Sequence, residues 1–163
     1  VKFDIVFHEK DFGPDGNASV SFFISANAGE EPKPIAKIAS GGELSRVMLA
    51  LKSIPTGTEN PVMIFDEIDT GISGRTSDKI GIKLSDTAKN NGCQVICVTH
   101  SAQIAARADT HLLISKSESG GRTTTKVTEL KGDARIDEIA RIIGGVTVTD
   151  TVRKTAEEMI KHL

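Results

Sequence analysis

The sequence has no apolar run approaching the roughly 18 residues of a membrane span, and no signal peptide opens it. These absences predict a soluble, cytoplasmic protein. Cysteine is scarce, with only Cys93 and Cys97, four residues apart in Cys-Gln-Val-Ile-Cys. On an extended strand that spacing separates the two by roughly 13 Å, which excludes a disulfide between them. No further cysteine or histidine stands at zinc spacing, so both read as small buried apolar residues in a reducing compartment. Net charge is nearly absent at −2. A polyanion is therefore not attracted globally, and any nucleic-acid contact needs a local basic patch or another part of the protein. Finally, no G-x-x-x-x-G-K-[ST] occurs anywhere, so the phosphate-cradling loop and its lysine are missing from this chain.

What is present is ordinary globular composition, 38% hydrophobic and 26% charged over 163 residues. That length suits one domain with a real core. Val1 to His8 alternates apolar and polar residues and Ala18 to Ala26 is rich in β-branched and aromatic ones, with turn chemistry at residues 12 to 17, which predicts an antiparallel hairpin. Residues 28 to 37, with Pro32 and Pro34, read as a loop. From Ser40 the period becomes helical, with Leu44, Val47, Met48 and Leu51 as one apolar face, until Pro55 and Gly57.

Val62 to Phe65 and Val95 to Val98 read as short buried strands, and Ile80, Leu84 and Ala88 mark a helix between them that ends near Asn91-Gly92. Strand, helix and strand over this distance predict a right-handed parallel βαβ crossover. A short helix to about Ala108, a hairpin of residues 111 to 115 and 123 to 130, and two amphipathic helices complete the chain. Ile136, Ile139, Ala140 and Ile143 form the first helical stripe, closed by Gly144-Gly145, and Val152, Ala156, Met159, Ile160 and Leu163 the second. There is no internal repeat.

Three constellations carry chemistry. Ser40-Gly41-Gly42-Glu43 opens a helix, where Ser40 can cap and Glu43 can reach back in a capping box. Two glycines where helical propensity favours a side chain also clear the backbone for an approaching group, and a bare helix N-terminus suits an anion. Asp66 and Glu67 stand at the exit of Val-Met-Ile-Phe. A strand-end acid can simply cap the next segment, but a pair at such an edge suits a divalent cation and a water-positioning base, with Asp66 on magnesium and Glu67 on water. His100 ends the next strand, so the crossover brings it to the same edge, where its imidazole could hydrogen-bond a terminal phosphate. His8, His111 and His162 lack such placement.

In order, Ser40-Gly-Gly-Glu-Leu44, Val62-Met-Ile-Phe-Asp-Glu67, Asp69-Thr-Gly-Ile-Ser-Gly74 and Val98-Thr-His100 resemble the signature motif, Walker B segment, D-loop and switch histidine of ABC-type ATPases. The fuller strings, Ile38 to Lys52, Phe65 to Gly74 and Thr99 to Asp109, resemble the RecN family, bacterial DNA-repair ATPases related to the SMC proteins. The resemblance implies an α/β fold, a P-loop NTPase half-head with a parallel βαβ core flanked by antiparallel hairpins and helices. It implies that residues 1–163 form the C-terminal lobe of a split head, with the Walker A lobe and a coiled coil lying outside this chain.

It further implies that Ser40, Gly41 and Gly42 contact the γ-phosphate of ATP held by an opposing head and that Asp66 holds Mg2+ through water. Glu67 would be the base, Asp69 would lie at the head–head interface and His100 would sense the γ-phosphate. The implied partners are the N-terminal lobe, a second head in a homodimer, and DNA through the full-length protein in double-strand-break repair and recombination, near the nucleoid and without a membrane. Transporter relatives usually carry glutamine where Glu43 stands, so this acid must face away or pair with a cation such as Arg46. Two other readings remain: half of a transporter nucleotide-binding domain, against which Leu44 to Lys52 lacks the usual glutamine-rich continuation, and a non-catalytic dimerisation or DNA-binding module using Lys131, Arg135 and Arg141.

Overall fold

The computed structural model describes residues 1–25, 29–37, 40–55, 61–119 and 121–161. Ala26, Ile38, Gly57, His162 and Leu163, singled out in the sequence, lie outside them. Strands β1 (Lys2–Gly13) and β2 (Gly16–Ser25) form the expected antiparallel hairpin, with Phe7 opposite Val20 and Phe3 opposite Ile24. The supposed loop after the hairpin contains a third strand, β3 (Lys33–Pro34), which pairs with Phe23 and Ile24 of β2 and leads into a single 3₁₀ turn at Ile35–Lys37. Proline has no N–H to donate, which excludes it from central strands but not from this edge.

Helix α1 (Gly41–Lys52) precedes the crossover of β4 (Val62–Phe65), α2 (Arg75–Asn91) and β5 (Gln94–Cys97). The two strands are parallel, with Val62 opposite Gln94 and Phe65 opposite Cys97. Gly92 closes α2 in the left-handed conformation and returns its N–H to the Ala88 carbonyl, as Asn-Gly at a helix end should. Helix α3 (Ala102–Ala106) comes next, then the antiparallel pair β6 (His111–Ser119) and β7 (Arg122–Leu130), then α4 (Gly132–Gly144) and α5 (Asp150–Lys161). No helix among the described residues is long and apolar enough to cross a membrane.

Helix α3 divides two cores. Ile104 joins Leu49, Phe65, Ile68 and Leu84 beneath β4 and β5, while Ala102, Ala105 and Ala106 pack on Ile139, Ala140 and Ala156 of α4 and α5. Small residues on α3 let the helices of the second cluster approach closely.

Two burial expectations fail. On α1 it is Gly42 and Leu49 that are buried, not the Leu44, Val47, Met48 and Leu51 stripe, of which Leu44, Met48 and Leu51 are exposed. The helix turns its small and mixed side toward the loop after β4, while Val47, Ala50 and Leu51 line a cleft of about 660 Å³ shared with Phe3 and Ile24 of the hairpin. The β4–β5 sheet, read as buried, is covered on one face only: Val62 and Ile64 are 57% and 69% exposed, and Ile96 and Val98 are 41% and 48% exposed. Among the described residues, helices pack on one side only of this two-stranded sheet.

Candidate nucleotide-facing site

The C-terminal ends of β4 and β5 sit side by side, joined beyond the strands by the Val98 N–H donating to the Phe65 carbonyl at 2.9 Å. Asp66 and Glu67 leave one strand and Thr99 and His100 the other, so the acids and the imidazole share one rim, as the spacing required. The start of α1 meets the same rim. A Cβ built on Gly41 would stand 3.1 Å from Glu67 Oε2, and one on Gly42 would stand 2.8 Å from the Thr70 carbonyl oxygen and 3.0 Å from that of Glu67. Gly42 therefore lies directly against the backbone of the 66–70 loop, the close approach for which glycine is suited.

Glu67 has φ +56°, the one positive value outside glycine among the described residues. An L-residue is strained there, and such strain persists only where neighbours hold it. Several do. The Thr70 N–H donates to the Glu67 carbonyl at 3.0 Å, Ser45 Oγ donates to the Asp66 carbonyl at 2.9 Å, and Arg46 Nη1 donates to the carbonyls of Ile68 and Thr70 at 3.1 and 2.9 Å.

The side chains of Asp66 and Glu67 are exposed and make no ion pair among the described residues. No group of three or more acids, histidines or cysteines able to hold a metal exists among the described residues.

Asp69, implied to lie at a head–head interface, is held inside this lobe. It is 3% exposed, and its Oδ2 accepts hydrogen bonds from Thr99 Oγ1 at 2.8 Å and the His100 N–H at 3.0 Å, with His100 Nδ1 at 3.2 Å from the same oxygen. Oδ1 is buried without a partner among the described residues. Asp69 thus ties the exit of β4 to that of β5 from inside, and the His100 ring projects outward, with its side chain 84% exposed. The Cys97 thiol beneath is pushed up to about 12 by burial first, then by Asp69 and Asp66.

Two of the alternatives that the sequence left open at α1 are not taken. Ser40 has the extended backbone of an N-cap but makes no side-chain cap bond, so the capping box with Glu43 is not formed and the first helical N–H groups are not occupied by it. Arg46 does not pair with Glu43, because its guanidinium is used on the two carbonyls. Sequence reasoning missed Ser45, Arg46 and Thr99 as structural partners of the rim. The available signal was that Gly42, Ser45, Arg46 and Leu49 share one helix face at i, i+3, i+4 and i+7.

In the basic strip, the side chains of Lys131 and Arg141 are exposed. Lys131 pairs with Glu129 at 2.9 Å, Arg141 with Glu138 at 2.7 Å, and Arg135 Nη2 donates to the Ala106 and Ala108 carbonyls.

No protein-family model matches the chain. It is 47% identical to the DNA repair protein RecN of Halalkalibacterium halodurans over 164 residues, covering 97% of this chain and 29% of that protein. Identity is 50% with RecN of Bacillus subtilis, covering 88% of this chain and 25% of that protein, and 45% with RecN of Treponema pallidum, covering 91% and 26%. The chain therefore spans less than a third of the length of these relatives. Among solved structures, it resembles the Smc head domain with a coiled coil and joint from Pyrococcus yayanosii, with a TM-score of 0.55, 20% identity and coverage of 84% of this chain and 25% of that one. It also resembles a structure described under ATP-driven dimerization and DNA-stimulated activation of SMC ATPases, with a TM-score of 0.52, 22% identity and coverage of 86% and 81%. These two likenesses show the fold to be that of SMC ATPase heads. Across nearly all of its residues, the chain belongs to the RecN family of DNA repair proteins, whose C-terminal part it matches.

Proposed function

We propose that residues 1–163 act as the C-terminal lobe of a split ATPase head in a RecN-like DNA-repair protein. The chain presents Ser40, Gly41, Gly42, Asp66, Glu67 and His100 to ATP and Mg2+ that are held mainly by an N-terminal Walker A lobe, and closes on a second head. Asp69 acts from beneath, as the anchor of His100. DNA is engaged through the full-length protein, in the cytoplasm at the nucleoid. The observation that carries this reading is the meeting of three elements at one rim, with Gly41 and Gly42 packed on the loop that bears Glu67.

The donor set fits a shared metal rather than a private one. Asp66 is an exposed carboxylate that belongs to no group of three or more potential metal ligands among the described residues. Mg2+ keeps several waters and binds through one or two carboxylates plus phosphates, so one such group suffices for an outer contact. The bound nucleotide would supply the phosphoryl centre, and Glu67 would accept the proton of the attacking water. His100 and the free N–H groups at the start of α1 would donate to phosphate oxygens. The open apolar face of β4 and β5 supports a further protein layer there.

The test is to purify this chain alone and together with the N-terminal lobe. Turnover should require both, and Glu67→Gln should lower it about 10²–10⁴-fold. Magnesium-dependent turnover by the chain alone, unchanged by that substitution, would overturn the proposal.

A further inference from the structure

Helix α1 holds the 66–70 loop by more than packing. Side chains from its second turn occupy three alternate carbonyls of that loop: Ser45 takes Asp66, and Arg46 takes both Ile68 and Thr70 through a single nitrogen. Arg46 stands one turn beyond Gly42, and its Nη1 lies 3.0 Å from where a Gly42 Cβ would be. The glycine thus makes the space in which the guanidinium reaches the loop. Glu67, the residue in left-handed conformation, lies between two of the three held carbonyls.

We infer that Arg46 is a positioning residue for hydrolysis, locking the backbone around Glu67 to the Ser40–Gly42 helix start so that the carboxylate and the bare N–H groups keep one fixed separation. The inference rests on the proposed catalytic role of Glu67. Arginine suits the task because its guanidinium stays charged at any working pH and offers five donors in a rigid plane, while lysine offers a flexible point charge. Its donor nitrogen is spent on main-chain carbonyls rather than on ligand. Loss of Arg46 should therefore loosen the orientation of Glu67 and slow the chemical step, while nucleotide affinity, supplied by the other lobe, is retained.

The experiment compares wild-type full-length protein with its Arg46→Ala, Arg46→Lys and Glu67→Gln forms, measuring steady-state ATP turnover with magnesium and the thermal midpoint. A fall in kcat of about tenfold or more in Arg46→Ala is expected, with KM for ATP within about twofold of wild type and partial recovery in Arg46→Lys. The inference is overturned if Arg46→Ala turns over at the wild-type rate. It is equally overturned if both Arg46 variants lose kcat and KM together in step with a lowered thermal midpoint, since that is a merely structural clamp. If wild-type turnover does not depend on Glu67, the catalytic reading itself fails and Arg46 has nothing to position. Glu67-dependent turnover that is indifferent to Arg46 removes this inference alone.

Discussion

Adjacent glycines at the start of α1 should respond to alanine in opposite directions. Gly41 is exposed, and its Cβ would meet only Glu67 Oε2, at 3.1 Å, the movable end of an exposed side chain. Alanine there keeps part of the helix-propensity gain over glycine, up to about 1 kcal/mol. Gly42 is buried, and its Cβ would press on two carbonyl oxygens, at 2.8 and 3.0 Å, that belong to a loop held from several sides. Those atoms cannot swing away, so α1 or the loop must shift. Overpacking of this kind costs about 1–3 kcal/mol against a propensity gain of up to about 1 kcal/mol, a net loss of up to about 2 kcal/mol. With a urea m-value of about 2 kcal/mol/M, the unfolding midpoint should fall by up to about 1 M in Gly42→Ala and hold or rise in Gly41→Ala. Equilibrium unfolding of the three proteins followed by circular dichroism reads this directly. If Gly42→Ala is as stable as Gly41→Ala, the close approach of α1 to the 66–70 loop is refuted.

Asp69→Ala should lower unfolding free energy by about 1.5–3 kcal/mol, because the Thr99 hydroxyl and His100 N–H lose a charged acceptor inside the protein; a change below about 0.5 kcal/mol in urea titration contradicts the anchoring role. Burial chiefly, and then the Arg135 charge, lower the His111 pKa below its ordinary 6.5. The unfolded chain then binds a proton that the folded one refuses, so this contribution is complete above the unfolded pKa and is lost as pH falls below about 6.5. Wild type should accordingly lose more stability than His111→Gln between pH 7.5 and 5.5, and equal losses in paired urea titrations would contradict the assignment. Cys97, raised from 9.0 to about 12, should hold roughly a thousandfold less thiolate near pH 8 than in the unfolded chain. Alkylation followed by peptide mass mapping should find Cys97 protected in the native protein and labelled in urea; rapid native labelling would refute the shift.

The elements written in short-range chemistry were legible in the sequence. Val62–Phe65 needed only an apolar run between polar residues, and the end of α2 needed only Asn-Gly with Gly92 in the left-handed conformation. Polar stretches hid the rest: β6 runs on to Ser119 through Ser-Lys-Ser-Glu-Ser because cross-strand pairing, not hydrophobicity, extends it. The rim was legible since a parallel pair must bring both strand exits together, which places Asp66, Glu67 and His100 without any knowledge of side chains. Charge partners were not. Nothing in the spacing tells a guanidinium whether to seek Glu43 or two carbonyls 22 and 24 residues away, and burial of Asp69 depends on Thr99 arriving from another strand.

Under the proposed function, the charges at the rim also bear on why this lobe would need a partner to hold nucleotide. Asp66 and Glu67 stand exposed there without ion pairs among the described residues, Asp69 lies directly beneath, and Arg46 is committed to main-chain carbonyls. Against these carboxylates, the start of α1 offers about half an elementary positive charge from its helix dipole, and a triphosphate approaching alone would be repelled. Neutralised by a divalent cation and gripped elsewhere, the same triphosphate turns the acids from a barrier into ligand-orienting groups. Under the proposed function, a surface that binds nucleotide poorly on its own is well suited to act on nucleotide delivered to it. Such a division would make hydrolysis conditional on assembly without any additional regulatory element.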